Sequence, residues 1–144
     1  MEEKLKQDTQ QNGLTNVIFE SLAPPELLNE SLSEGDIHLV PQNADAADYA
    51  VPSKIYNIMA AGRPCIATAV EGSTLWNLAM KSGAFVCTPP DDPNALAQKA
   101  LSLLDTPDER QSLAQQGRIF VLENMTKHSI LAPLAGIFPT TLAK

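Results

Sequence analysis

Short apolar runs alternate with helix-length segments along this chain, and that alternation leaves few folds open to it. Val17–Phe19, Ile37–Val40, Cys65–Ala69 and Ala84–Cys87 read as strands, each a nearly continuous apolar run. Strands of that kind are covered on both faces, which parallel sheets achieve by packing helices above and below. Strands separated by helices pair in parallel through right-handed crossovers, so the sequence predicts an α/β fold on a doubly wound parallel sheet. Ligands of such sheets bind beyond the carboxyl ends of the strands. Gln42–Lys54, Val70–Ser73 and Thr88–Asp92 are the segments that fall there.

Glycine and proline mark the helix limits. A polar first helix spans Glu2 to Asn12 and stops at Gly13, a favoured residue just past a helix end. Leu5 is its one large apolar residue, so fraying is expected. Pro24-Pro25 opens a helix that is apolar at Leu27, Leu28 and Leu32 and closes at Gly35. Ser53 to Ala61 is the next, apolar on most sides through Ile55, Ile58, Met59, Ala60 and Ala61, which predicts burial. Another follows Glu71-Gly72-Ser73 and ends at Gly83. Asp92-Pro93 supplies a cap and a first-turn proline, with Leu96, Ala97, Ala100, Leu101 and Leu104 as one face. Thr106 and Glu109 have the spacing of a capping box. A last helix from Thr126 carries Ile130, Leu131, Leu134 and Ile137, with a kink expected at Pro133.

Composition removes several function classes. Of 144 residues 44% are apolar and 19% charged, which suits one soluble domain with its own core. The net charge of −7 and ten scattered basic residues argue against nucleic acid, which is bound by clustered Lys and Arg. No apolar stretch reaches the roughly 18 residues that span a bilayer. The opening Met-Glu-Glu-Lys-Leu-Lys has the wrong composition for a signal peptide, so a cytoplasmic location is expected. Cys65 and Cys87 lie in apolar runs, with only His38 and His128 to help build a metal site; free buried thiols and no metal are the expectation.

Two segments could carry chemistry. Pro52-Ser53-Lys54 stands at a loop-to-helix junction, where unpaired amides and the positive end of the helix dipole suit a phosphate. Ser53 adds a hydroxyl and Lys54 a mobile charge; equally, Ser53 could simply cap the helix. At Glu71-Gly72-Ser73, Gly72 permits close backbone approach and Glu71 can accept a hydrogen bond from a sugar hydroxyl. A capped helix beside a surface acid reads as well there. Neither a phosphate-cradling glycine loop nor a nucleophile elbow is present, and no catalytic residue is assigned. His38, His128, Trp76 and Phe85 read as structural.

Between Asp36 and Pro90 these pieces form an ordered series: Asp-Ile-His-Leu-Val-Pro, then Val-Pro-Ser-Lys-Ile-Tyr-Asn-Ile-Met-Ala-Ala-Gly-Arg-Pro-Cys-Ile-Ala-Thr, then Glu-Gly-Ser, then Gly-Ala-Phe-Val-Cys-Thr-Pro-Pro. The series resembles the carboxyl-terminal domain of family 4 glycosyltransferases, closest to bacterial polysaccharide-assembly members with Pro-Ser-Lys before the helix. The resemblance covers residues 13 to 125. It implies half of a GT-B carboxyl-terminal domain, a partial Rossmann-like sheet that binds a nucleotide diphospho-sugar as substrate, with no cofactor. Pro52, Ser53, Lys54, Asn57, Glu71, Gly72 and Ser73 are the donor-binding positions it implies. Asn57 stands where the family has a Glu for the ribose, and Tyr49 where it has a second Glu; Asp45 or Asp48 is a candidate substitute.

The resemblance also implies that residues 1–144 form a single incomplete domain, lacking two earlier βα units and the acceptor domain. Residues 1–12 are then a frayed helix and residues 126–144 a terminal helix and tail. With a family strand order of 3-2-1-4-5-6, Ile37–Val40 becomes an exposed edge. Such an edge invites self-association or direct pairing with Val17–Phe19, and an acceptor-domain partner is the other expected contact. The alternative function is a non-catalytic nucleotide-binding or interaction subunit.

Overall fold

Three apolar runs pair as parallel strands, β1 (His38–Val40), β2 (Cys65–Thr68) and β3 (Val86–Thr88), in the spatial order β1-β2-β3. The computed structural model describes residues 2–46, 51–127 and 129. Around the sheet lie α1 (Glu2–Gln11), α2 (Leu28–Glu34), α3 (Ser53–Ala60), α4 (Thr74–Ser82), α5 (Pro93–Asp105) and α6 (Pro107–Asn124). The predicted α/β class and parallel pairing are present.

Register divides the side chains between two faces. Cys65 and Ala67 point into a cluster with Val40, Ile55, Met59 and Leu75. Ile66, paired with Leu39 and Val86, points the other way, toward Leu103 and Leu113, with Leu96 and Ala100 packed beside them. Helix α6 serves both clusters, giving Leu113 to the second and Phe120 and Val121 to the first. Its Gly117 lies so close to α3 that an added Cβ would stand 3.3 Å from the Met59 Cα. Two arginines close helix ends: Arg118 donates to the Ala60 carbonyl at 3.0 Å, and Arg110 to those of Leu103 and Leu104. These bonds satisfy carbonyls that a helix end leaves unpaired.

Several expectations are corrected. Val17–Phe19 forms no strand and, among the described residues, has no ladder partner beside β1; Ile18 is 80% exposed. Only the Phe19 ring finds company, under the Lys6 ammonium at 5.7 Å. The helix expected from Pro24-Pro25 opens as a 3₁₀ turn, Pro25–Leu27, before α2; Leu27 and Leu28 stay exposed, and of the three leucines Leu32 packs on the core. The buried face of α5 is Leu96, Ala100 and Leu103, while Ala97, Leu101 and Leu104 are exposed. The capping box does not form: the Thr106 hydroxyl bonds the Ser102 carbonyl and the Glu109 carboxylate, which itself pairs with Lys99 at 2.9 Å. That pairing holds the Glu109 carboxyl below its ordinary range. Strand β3 begins two residues later than expected, because Ala84 and Phe85 pack as core before the ladder starts. The expected last helix, with His128, falls largely outside the described residues, as do Asp48 and Tyr49.

Other expectations stand. Gly13, Gly62 and Gly83 each take a positive φ just past a helix. Asp92 caps α5 by accepting from the Ala95 amide at 2.9 Å. His38 is structural, its Nε2 2.8 Å from the Leu32 carbonyl. Cys65 and Cys87 are free thiols, the first buried as expected and the second only half-buried; burial pushes Cys65 up to about 12 and Cys87 up to about 11. No described helix is long and apolar enough to cross a membrane.

Candidate functional site

Parallel strands send all three of their outgoing loops to the same end of the sheet, so the segments after β1, β2 and β3 gather there. Adjacent strands lie roughly 4.8 Å apart, which makes these corners neighbours.

After β1 the chain reaches α3 through Pro52, whose extended backbone (φ −60, ψ 127) fills the cap position without offering a side-chain acceptor. The Ser53 hydroxyl does not cap the helix; it sits on the first helical residue, exposed. Ile55 donates to the Pro52 carbonyl at 3.0 Å, whereas the Ser53 and Lys54 amides meet no acceptor among the described residues. Lys54 is exposed and forms no ion pair among them. The helix start thus presents two amides, a hydroxyl and an ammonium to solvent at the carboxyl end of the sheet. Such a start attracts an anion through its donors and its dipole together.

The corner after β2 is committed differently. Gly72 adopts φ +80, a backbone that glycine accepts without strain, and its carbonyl accepts from the Asn77 side chain at 2.9 Å. Ser73 is buried and caps α4, its hydroxyl accepting from the Trp76 amide at 3.3 Å. Glu71 alone keeps its functional group exposed. Of the three residues expected here, two build the turn and one faces solvent.

Asn57 lies one helical turn beyond Ser53 on the same side of α3, exposed. It opens onto a groove of about 270 Å³ between α2 and α3, whose other wall carries Glu26 and Asn29 over Leu28 and Leu32. Asp45, a candidate acid, is exposed in a short 3₁₀ turn and does not line this groove.

A smaller cavity of about 160 Å³, lined by Gln42, Thr68, Asp91 and Asp92 among others, was not foreseen. The Thr68 hydroxyl bonds both the amide and the carbonyl of Gln42, at 2.6 and 2.7 Å, tying the β1 loop to β2. Gln42 Oε1 and Thr88 Oγ1 are buried without a partner among the described residues. The available signal was threonine closing both β2 and β3.

A parallel α/β sheet with helices packed on it is a Rossmann-like arrangement, and the uncapped, lysine-bearing helix start stands at the end of the sheet where such folds place their ligands. Residues 1–106 match the family described as Glycosyl transferases group 1, and the chain belongs to that family. It is 38% identical over 94 residues to a protein of Escherichia coli (strain K12) named as the colanic acid biosynthesis glycosyl transferase WcaI. That match takes in 65% of this chain and 23% of the relative. Sucrose-phosphate synthase from Thermosynechococcus elongatus shares the fold, with a TM-score of 0.79 and 24% identity over 94% of this chain and 33% of that one. The chain therefore spans well under half the length of either.

Proposed function

We propose that this chain supplies the donor side of a sugar-transfer reaction: it seats the diphosphate of a nucleotide diphospho-sugar on the start of α3. The sugar passes to a glycan or lipid-linked acceptor in polysaccharide biosynthesis, on the cytoplasmic side. One observation carries the reading: among the described residues, Ser53 and Lys54 leave two amides and an ammonium without a partner at the carboxyl end of a parallel sheet. Transfer breaks the bond between the sugar and the outer phosphate oxygen, so negative charge grows on the departing diphosphate. Donors already aimed at that charge stabilise the transition state more than the ground state. Lys54 follows the growing charge on its flexible stem, while the amides are held in place by the helix. No cofactor enters, since the nucleotide-sugar is itself the substrate.

In this reading Glu71, exposed beside Gly72, meets hydroxyls of the sugar, and Ser73 and Gly72 hold the corner that aims it. The acceptor is bound by a separate domain. A second reading is a non-catalytic nucleotide-binding or interaction subunit, favoured by the neutral Asn57 on the exposed face of α3.

Amide resonances followed during titration with pyrophosphate and with UDP, GDP and ADP sugars test the seat. Saturable movement of the Ser53 and Lys54 amides, with millimolar affinity that Lys54→Ala weakens further, is expected. Movement elsewhere, or none at these two amides, rejects it.

A further inference from the structure

Among the described residues β1 and β3 each pair with β2 alone, so each has one edge without a ladder. Successive residues of a strand turn their N–H and C=O to opposite edges. The His38 amide donates to the Pro64 carbonyl, toward β2, so the backbone groups of Leu39 face the open side of β1. The Thr88 carbonyl accepts from the Ala69 amide, again toward β2, so the backbone groups of Cys87 face the open side of β3. Between them the two edges hold the donors and acceptors that one further parallel ladder needs.

The open edge of β3 is also concave. A groove of about 440 Å³ lies beside it, walled by Trp76 and Met80 of α4, Phe85 and Val86 at the strand, Lys99 of α5 and Leu113 of α6. This wall is mainly apolar; Met80 is 71% exposed, and Lys99 is held by Glu109. The edge of β1 offers a matching side chain. Leu39 is half-exposed and, through its pairing with Ile66 and that of Ile66 with Val86, shares the sheet face on which Leu113 packs. Charge then separates this match from the meeting of two β1 edges. Between Lys6 and Lys54 the sequence holds no Lys or Arg, and Glu30, Glu34 and Asp36 are exposed just before β1. Next to Met80 stands Lys81, exposed and without an ion pair among the described residues. Two β1 edges set acid against acid, whereas β1 on the β3 groove sets acid against base. Complementarity of this kind selects the partner more than it sets the affinity, which burial of apolar surface supplies.

We propose that the groove beside β3 is a docking site for the β1 edge of a second copy of this chain, which extends the parallel sheet. The second copy's Leu39 lies opposite Val86, with its side chain in the groove and its carbonyl accepting from the Cys87 amide. The two surfaces stand at opposite ends of the sheet, so the contact is heterologous, and every added copy leaves one β1 edge and one groove free. Such an assembly grows as a row instead of closing at two. It is independent of the diphosphate seat proposed above.

The test asks whether two differently blocked chains complete one another. Leu39→Lys closes the β1 edge. Met80→Glu, at an exposed position, sets a like charge against the acidic side of β1. Cys87→Pro removes the outward amide of β3 and leaves the ladder to β2 in place. Sedimentation over a concentration series should show the wild-type chain passing through a dimer to larger species. Each blocked chain alone should stay a monomer, its association weakened about tenfold or more by the charge or the lost donor. An equal mixture of Leu39→Lys and Met80→Glu chains should form a dimer and stop there, because one open edge and one open groove remain. Thermal unfolding checks that the variants are folded, and Met80→Glu decides the matter where Cys87→Pro is not. The proposal is overturned by a wild-type chain that stays monomeric or closes at two, by a Met80→Glu chain that associates like the wild type, or by a mixture that remains monomeric.

Discussion

Two serines at the starts of neighbouring helices carry opposite tasks, and substitution separates them. Ser73 is buried and its hydroxyl caps α4. Ser73→Ala should lower unfolding free energy by about 1 kcal/mol, the usual effect of a lost cap, with little change in phosphate affinity. Ser53 is exposed and caps nothing, so Ser53→Ala should leave stability unchanged within about 0.5 kcal/mol and act only on ligand affinity. Urea unfolding and anion titration of both variants check this; a destabilised Ser53→Ala would mean that the hydroxyl has a structural partner. The thiols give a pH prediction. Above pH 9 an unfolded Cys ionises, whereas burial keeps the folded Cys65 protonated to about pH 12. The folded state then holds more protons, so stability falls as pH rises through that window. Unfolding midpoints measured below and above pH 9 should drop further for the wild-type chain than for Cys65→Ala, in which this group is absent. Equal drops would show that Cys65 is not the group responsible.

Among the elements, the contact between α3 and α6 fixes where the candidate anion seat stands. Gly117→Ala would set a methyl 3.3 Å from the Met59 backbone, and backbone cannot swing aside as a side-chain tip does. The helices must part, at a cost of about 1–3 kcal/mol that outweighs the roughly 1 kcal/mol gained in helix propensity. Thermal unfolding of Gly117→Ala should show net destabilisation; a stabilised variant would mean that α3 yields easily. The elements themselves were largely legible from sequence, because Gly35, Gly62, Gly83 and the Asp92-Pro93 pair mark helix limits through local chemistry alone. What stayed hidden depends on neighbours. Leu101, Leu103 and Leu104 are alike as residues, and packing against Ile66 and Leu113 selects Leu103. Val17–Phe19 has strand composition but no ladder to join, and Thr106 bonds a carbonyl where its spacing to Glu109 suggested a cap. The helix start at Pro52-Ser53-Lys54 could be read because it is a local feature. The α2–α3 groove could not, since Glu26 and Asn57 meet only through tertiary packing.

For the whole molecule, the open side of β1 has consequences in solution. Strand β1 pairs only with β2 among the described residues, so its other edge bears unpaired backbone groups. Leu39 points to the face that α5 covers over β2 and β3, yet it remains 50% exposed because α5 does not extend over β1. Ile18 and Leu22 add further exposed apolar surface. An uncovered edge with apolar side chains favours pairing between chains, while a net charge of −7 on each copy opposes it. Salt screens the repulsion over about 8 Å at physiological ionic strength and leaves the apolar attraction in place. Association of the isolated chain should therefore grow with both protein concentration and ionic strength, the reverse of an assembly held by ion pairs. Leu39→Lys, which adds a charge at the edge and removes an exposed apolar side chain, should return the chain to a monomer without lowering its stability. Light scattering across a concentration series at low and high salt measures this. A monomer throughout would show that the three-residue edge strand β1 is too short to template another.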